Sequence, residues 1–326
     1  MAIYKLGELI NVSTGNMNKE DQVTDGEYDF FVRSQNKLKA NTWTVDGEYV
    51  IIPGEGIFIP QYSIGKVAIH QRVYYINTIN KDILSTKYLF YWWLKNNGIL
   101  YKNAVGSTVK SLRKSNFIEP LISLPNIDIQ NYIINIIEPF EKMNNLINNK
   151  IIAIKKTLNF NFLENESNNV RLSEISKIVT GKRNANFSRE NGKFRFYTCS
   201  TKLYQFCDSY SFSGEYLVVN GNGDVGNVVY TNSNFDAYQR NYVISCNKFL
   251  GNVYWSIYSK KEELSNNSKG SVLKFITINQ LENIDVSTND EQSYINELII
   301  KSLFLLENIK LKLDKLIKKI IDLKIN

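Results

Sequence analysis

The sequence predicts an α+β protein. Two mixed α/β domains, related by a pseudo-twofold axis, are expected to be separated by a pair of long antiparallel coiled-coil helices. Three observations predict this architecture: an internal duplication, short strand-like runs in each copy, and a long heptad-like segment that closes each copy. The 326 residues are enough for two ordinary domains.

The duplication is visible directly in the sequence. Its clearest match is between YKLGELINVSTG at 4–15 and VRLSEISKIVTG at 170–181, an offset of 166 residues. Further matches follow in the same order: EYVIIPGEG (48–56) with EYLVVNGNG (215–223), Gln71-Arg72 with Gln239-Arg240, and GSTVKSL (106–112) with GSVLKFI (270–276). Copies of this length are domains rather than the units of a solenoid.

The globular part of each copy is expected to consist mainly of strands and turns. Residues 1–126 and 167–288 contain short runs of Val, Ile, Tyr and Phe, punctuated by Gly and Asn. One stretch, 84–102, predicts a helix, with Ser85 or Thr86 as its N-cap.

Each copy ends in a segment that predicts one long helix, at 127–166 and 289–326. Apolar residues recur there at alternating spacings of three and four, the pattern of a coiled-coil seam. Pro139 is expected to kink the first helix or to mark its early turns. The predicted seam comprises Ile133, Ile136, Phe140, Met143, Ile147, Ile151, Ile154, Leu158, Ile295, Leu298, Leu305, Ile309, Leu313, Leu316, Ile320 and Leu323.

Composition narrows the function classes. The net charge of +7 suits a nucleic-acid partner. The single histidine, His70, and three cysteines without metal-ligand spacing argue against a histidine-based triad, a zinc site or a disulfide framework. Neither a transmembrane run nor a secretory signal is visible, so a cytoplasmic protein without a membrane partner is expected.

The stretch VNGNGDVGNVVY at 219–230 contains a literal G-x-G-x-x-G at Gly221, Gly223 and Gly226. This spacing is the fingerprint of a dinucleotide-binding turn, which requires a following helix. In our alignment VGNVVY at 225–230 matches IGKVAI at 64–69, which places six extra residues between the last two glycines of the first copy. The stretch is therefore interpreted as a strand, a loop of variable length and a second strand.

Several of these motifs together carry a family resemblance. They are L-G-E-L-I-x-x-x-x-G from Leu6 to Gly15 with its echo at 172–181, the two Gln-Arg pairs, the G-S-x-x-K loops, and IEPLISLPNIDIQ at 118–130. Over its whole length the chain resembles the specificity (S) subunit of type I restriction–modification systems. The second copy departs from the pattern, with Ser-Thr in place of Leu-Pro in VSTNDEQ.

The resemblance implies a non-catalytic subunit with two target-recognition domains. Each domain would read one half-site of a bipartite, asymmetric target in double-stranded DNA, and the helices would set the spacing. Two methyltransferase (modification) subunits and restriction/translocase subunits would dock on it. S-adenosylmethionine, ATP and Mg would belong to those partners, leaving no catalytic residue, cofactor or metal ligand here.

Candidate DNA-contacting residues are chosen by charge, polarity and position in the repeat. Arg72 and Arg240, like Lys110 and Lys274, recur in both copies, which favours phosphate contacts or a framework role over base readout. The remaining candidates lie where the copies diverge, as base-reading residues should: Arg33, Lys37, Lys39, Gln61 and Lys66 in the first copy, and Lys182, Arg183, Arg189, Arg195, Asn222, Asp224, Asn227 and Lys269 in the second.

Two other functions remain open at this point. One is a nucleotide-binding enzyme that uses Gly221–Gly226. The other is a coiled-coil scaffold that binds protein but not DNA.

Overall fold

The computed structural model describes residues 2–161, 169–200, 205–268 and 274–325, and for residues 157–161 the backbone only. The chain divides into two compact units. Unit 1 comprises Met1–Asn145 and Lys312–Asn326, and unit 2 comprises Leu146–Leu311. Each unit therefore contains one globular copy and a part of both long helices.

Unit 1 is built around a six-stranded sheet. Its strands and helices are β1 (Ala2–Lys5), β2 (Ile10–Thr14), β3 (Tyr28–Phe31), β4 (Leu38–Ala40), β5 (Val45–Pro53), β6 (Gln61–Ile69), β7 (Val73–Thr78), α1 (Thr86–Asn96), α2 (Gly98–Asn103), α3 (Ser115–Ile118), β8 (Leu121–Leu124) and α4 (Ile127–Asn161). The sheet order is β2-β7-β5-β6-β3-β4, and β1 pairs with β8 in a separate ribbon. Among the strand pairings described for this sheet, only the one between β3 and β6 is parallel.

Unit 2 repeats this arrangement. Its elements are β9 (Asn169–Arg171), α5 (Leu172–Ile175), β10 (Ser176–Thr180), β11 (Phe194–Tyr197), β12 (Gln205–Cys207), β13 (Phe212–Asn220), β14 (Val228–Ala237), β15 (Asn241–Cys246), α6 (Leu250–Ser259), α7 (Lys261–Asn266), α8 (Ile278–Glu282), β16 (Asp285–Ser287) and α9 (Asp290–Lys324). The sheet order β10-β15-β13-β14-β11-β12 and the β9–β16 ribbon match unit 1 strand for strand. The predicted duplication and α+β class are therefore confirmed.

The core of each unit lies between its sheet and one aromatic helix. In unit 1, the helix predicted at 84–102 begins at Thr86 and breaks at Asn97, and it buries Trp92 and Trp93 against the sheet. In unit 2, Tyr254 and Trp255 of α6 occupy the equivalent place. Ser85 is the N-cap by position, but its side chain makes no capping hydrogen bond.

The two long helices run antiparallel within each unit. In unit 1, Asn144 hydrogen-bonds to Asp314. In unit 2, Lys155 bonds to Glu307 at 3.0 Å and Asn148 accepts from Lys310 at 2.7 Å, so residue numbers rise along α4 as they fall along α9. Each helix has 35 residues, about 52 Å at 1.5 Å per residue. Pro139 lies inside α4 and does not end it.

The predicted helix seam is wrong along most of α9 and at one position of α4. Residues Ile133, Ile151 and Leu313 are buried, and Ile136, Phe140, Ile147, Ile154 and Ile320 are half-buried. In contrast, the structure exposes Met143, Ile295, Leu298, Leu305, Ile309, Leu316 and Leu323. The side chain of Leu158 lies outside the described residues.

The seam prediction fails in α9 because this helix carries apolar residues on two faces. In unit 2, Ile300 and Leu303 join the domain core with Tyr254 and Trp255 of α6. A Cβ atom on Gly251 of α6 would approach the backbone nitrogen of Glu297 to 2.5 Å, so the two helices cross closely. Packing on its own domain therefore selects the face of α9 that is buried, rather than the heptad pattern.

The structure also corrects the alignment of the glycine stretch. The parallel pairings Phe30–Ala68 and Phe196–Asp236 make Ala68 equivalent to Asp236, so IGKVAI at 64–69 corresponds to NSNFDA at 232–237. The loop between β5 and β6 covers residues 54–60, and that between β13 and β14 covers 221–227. The predicted insertion of six residues is therefore wrong, because the two loops have equal length.

No helix in the described part of the chain is both long enough and apolar enough to cross a bilayer.

Candidate nucleic-acid interface

In unit 1, three loops bring charged residues together. Arg33 follows β3, Glu55 lies in the β5–β6 loop, and Arg72 lies in the turn between β6 and β7. One terminal nitrogen of Arg33 donates to Oε2 of Glu55 at 2.9 Å, and one of Arg72 donates to Oε1. We call these three residues the Arg33–Glu55–Arg72 cluster.

The electrostatics of the cluster keep its carboxylate ionised. The hydrogen bond from Arg33 is the main cause that lowers the pKa of Glu55; burial opposes it and Arg72 reinforces it. His70 lies nearby and accepts a hydrogen bond at Nδ1 from the backbone N–H of Arg72 at 3.0 Å. Burial, aided by Arg33 and Arg72, lowers the pKa of His70, so the imidazole is held neutral.

Arg33 and Glu55 line an open cavity of about 690 Å³ in unit 1. Its wall also contains His70, Ile57 and Val109. The loop that carries Lys110 closes against Glu55 and Gly56, because Gly56 donates its N–H to the carbonyl of Lys110 at 3.1 Å. The structure therefore brings together three candidates that are far apart in the sequence: Arg33, Arg72 and the loop that carries Lys110.

Other first-copy candidates lie elsewhere in unit 1. Lys37 and Lys39 both pair with Asp29, at 3.0 and 2.9 Å. Gln61 begins β6, and Lys66 lies within that strand with its ammonium over the ring of Trp43. Gln61 and Lys66 are therefore residues of a strand and not of the β5–β6 loop.

Unit 2 has a site at the equivalent place with different side chains. Arg240 corresponds to Arg72, because Gly54 donates its N–H to the carbonyl of Arg72 and Gly221 donates to Arg240, both at 2.9 Å. Asn222 takes the place of Glu55, and its backbone bridges Phe275 next to Lys274. The side chain of Arg240 is exposed and makes no hydrogen bond or ion pair with the part of unit 2 that is described.

The loop from Gly221 to Asn227 lacks the features of a pyrophosphate-binding turn. Four of its backbone N–H groups already have acceptors: Gly221 donates to Arg240, Asp224 to Cys199, Gly226 to Asn220 and Asn227 to Asp224. A strand, β14, follows it rather than the helix that the fingerprint requires. The stretch therefore does not have the structure of a dinucleotide-binding turn, and the interpretation as strand, loop and strand is confirmed except for the difference in loop length.

The remaining second-copy candidates have varied surroundings. Asp224 pairs with Lys261 at 3.3 Å, while Arg195 and Asn227 line a smaller cavity of about 230 Å³ in unit 2. The side chain of Arg189 hydrogen-bonds to backbone carbonyls of its own turn, and Lys182 is exposed. Lys269 lies outside the described residues.

Arg183 has a different character from the other basic candidates. Its Nε atom bonds to Oδ2 of Asp236 at 2.9 Å, and its guanidinium lies 4.4 Å from the ring centre of Phe187. Asp236 is fully buried and also accepts hydrogen bonds from Ser211 and from the backbone N–H of Ala237. The pair therefore fastens the segment that follows β10 to β14.

Sequence reasoning missed Glu55, the residue that organises the first site. The signal was available: Glu55 and Asn222 occupy the same place between matched glycines, Gly54/Gly56 and Gly221/Gly223. Glu55 in the first copy aligns with Asn222 in the second, next to an arginine that recurs in both copies. This difference marks a position where the two copies of the site differ.

Comparison with known proteins identifies the repeated domain. The family model described as "Type I restriction modification DNA specificity domain" matches residues 1–156 and again 164–322. The "Type I restriction enzyme EcoDI specificity subunit" of Escherichia coli is 33% identical over 123 residues, which is 37% of this chain and 27% of that protein. The matched part thus spans about a quarter of that relative.

A solved structure shares the fold of this chain. It is the crystal structure of a type I restriction–modification system S subunit from M. genitalium, which covers 100% of this chain and 96% of its own, with a TM-score of 0.65. The sequence identity is 16%, so this likeness concerns the fold alone.

Proposed function

Because the chain belongs to the type I restriction–modification DNA specificity family, we propose that it selects the DNA sequence on which a methyltransferase complex acts. Each unit reads one half-site, and the target is bipartite and asymmetric. One observation carries the proposal: the two units have the same strand order but different side chains at the equivalent loop site, with Glu55 in one and Asn222 in the other. Two modules that share a framework but differ in their contacts suit two different half-sites.

The charge distribution supports a DNA partner rather than a protein-only scaffold. The chain carries a net charge of +7, and both loop sites present an arginine, Arg72 and Arg240, that is largely exposed. Exposed guanidinium groups bind phosphate oxygens or the base edges of guanine bidentately. Methyl transfer, and cleavage where it occurs, is assigned to partner subunits that bring their own cofactors.

Footprinting of the chain assembled with the modification subunits of the same host tests the proposal. DNA selected from a random pool should show two protected clusters separated by an unread spacer. The matched control exchanges residues 167–288 for those of another family member, which should change only one cluster. A single contiguous protected sequence would contradict the two-half-site function.

The exposed apolar stripe of α9 is proposed as a docking surface for a modification subunit. Ile295, Leu298, Leu305 and Ile309 are between 37 and 60% exposed, although they follow the spacing of a coiled-coil seam. The opposite face of α9 is already packed on the core of unit 2 through Ile300 and Leu303. A helix supplied by another subunit would cover the stripe.

We expect the double substitution Leu298→Glu and Leu305→Glu to prevent assembly with the modification subunit while leaving the isolated chain folded. Two carboxylates would have to be buried in the interface, which desolvation strongly disfavours. Co-purification and analytical ultracentrifugation measure the assembly. The control is Lys318→Glu, which adds an acid at an exposed position on a different face of α9 from the stripe and should leave assembly intact. Normal assembly of the double variant would rule this surface out.

A further inference from the structure

In the Arg33–Glu55–Arg72 cluster the carboxylate is largely buried and the two guanidinium groups are exposed to solvent. The Glu55 side chain is 18% exposed, whereas Arg33 and Arg72 are 52 and 58% exposed. Glu55 is held from behind by the backbone bridge to Ser111. The carboxylate is therefore a fixed point on which two exposed side chains are anchored.

Both arginines keep donors for a further partner. A guanidinium has five N–H donors, and each of these arginines spends one terminal nitrogen on Glu55. The remaining donors meet no acceptor among the described residues. An arginine held at one edge by a carboxylate loses less conformational freedom when its other edge binds, so it is pre-organised for bidentate recognition.

Unit 2 retains the arginine but not its anchor. Arg240 is the equivalent of Arg72, while Asn222 replaces Glu55 and Cys199 replaces Arg33. Cys199 instead donates its S–H to Oδ1 of Asn241 at 2.8 Å. If the recurring arginine were a framework residue alone, its ion-pair partner should recur with it. Instead, Glu55 in unit 1 is replaced by Asn222 in unit 2, so the arginine recurs without its ion-pair partner.

We propose that Glu55 determines the sequence specificity of unit 1 by fixing Arg33 and Arg72 as a rigid pair that reads base edges in the major groove. This rests on the proposed function. The chemistry favours guanine, whose O6 and N7 atoms are two adjacent acceptors for one guanidinium. Arg240, without a carboxylate anchor, contacts the phosphate backbone of the other half-site. Glu55 itself is a positioning residue, because it acts through the two arginines.

The experiment compares half-site preferences from randomised DNA pools for the assembled complex of wild-type chain and of Glu55→Gln. Glutamine keeps the shape and removes the charge that orients both arginines. Discrimination at one or two positions of the first half-site should fall by about fivefold to a hundredfold, the range expected for one bidentate arginine contact. The second half-site should be unchanged.

Two further variants make the result specific. Arg33→Lys, at an exposed position, keeps the charge, loses the planar fork, and should relax the same positions. Asp29→Asn is the matched control, because Asp29 is also a carboxylate bridging two cations, Lys37 and Lys39, in the same unit. It should leave the base preference unaltered.

The outcomes separate the two proposals. Unchanged first half-site preference in Glu55→Gln and Arg33→Lys, with DNA binding intact, overturns the role of Glu55. A change in Asp29→Asn alone also overturns it and moves the readout to Lys37 and Lys39. A wild-type complex that selects no bipartite sequence contradicts the proposed function itself, whichever residues are involved.

Discussion

Replacing Arg183 with methionine is expected to lower the free energy of unfolding of unit 2 by about 3 kcal/mol or more, because it leaves the fully buried Asp236 without its cation. Methionine preserves most of the packing on Phe187, so the loss isolates the charge. Hydrogen–deuterium exchange in peptides from β14 measures the effect, since it reports the opening of unit 2 separately from unit 1.

Two controls test the cause of this loss. Lys182→Met, at the exposed neighbouring position, should change stability by no more than about 0.5 kcal/mol. Adding Asp236→Asn to Arg183→Met should recover part of the loss, because the double variant no longer buries an unpaired charge. If Arg183→Met weakens DNA binding but leaves exchange in β14 unchanged, Arg183 contacts DNA as the sequence suggested and its structural role is contradicted.

Replacing Gly15 with alanine is expected to destabilise unit 1 by about 3 kcal/mol, the upper end for overpacking. A Cβ atom there would lie 2.0 Å from the carbonyl oxygen of Ile69 and 2.7 Å from that of His70, so the backbone of β6 would have to move. Thermal unfolding followed by calorimetry should show a fall of about 6–12 °C in the transition of unit 1, at roughly 2–4 °C per kcal/mol.

Alanine substitutions at two other glycines, Gly181 and Gly98, test whether the effect at Gly15 comes from the close backbone approach. Gly181→Ala should lower the transition of unit 2 in the same way, because its Cβ would meet carbonyl oxygens of Ala237 and Tyr238 at 2.3 Å. Gly98→Ala, at the start of α2 with open space around it, should leave stability unchanged or raise it slightly. Equal effects at Gly15 and Gly98 would show that the close backbone approach is not what requires glycine.

These glycines explain why the architecture could be predicted from the sequence. The repeated Thr-Gly at 14–15 and 180–181 marks the same close approach of two strands in each unit. Because this close approach requires glycine in both units, glycine recurs at the same place in both copies. The duplication in the sequence therefore revealed two equivalent domains. The two long helices were predicted because their apolar spacing is incompatible with strands.

The faces of α9 could not be predicted, because two apolar stripes share the helix. Leu298 and Leu305 fit a heptad better than Ile300 and Leu303 do, yet the latter are buried. Burial is decided by α6, which lies about 45 residues earlier in the chain and presents Gly251 for a close crossing. Tertiary packing therefore overrides local periodicity here.

The candidate site was found only in part. Arg33 and Arg72 were candidates by charge, but Glu55, the residue that joins them, comes from a third loop and carries the opposite charge. The strand match at 64–69 was wrong because Gly, Val and Ile recur in several strands, so a plausible local match hid the true register. Pairing partners, which sequence does not show, resolve that ambiguity.

The most direct test of the central claim is the methylome of the host with this gene present and with it deleted. The account predicts methylated adenines within two short specified sequences separated by a fixed, unspecified spacer, and their complete loss on deletion. Restoring the gene with Glu55→Gln should return the same second half-site with a relaxed first one. A methylation pattern that is unchanged by deletion, or a single contiguous motif, would contradict the claim that this chain selects the DNA target.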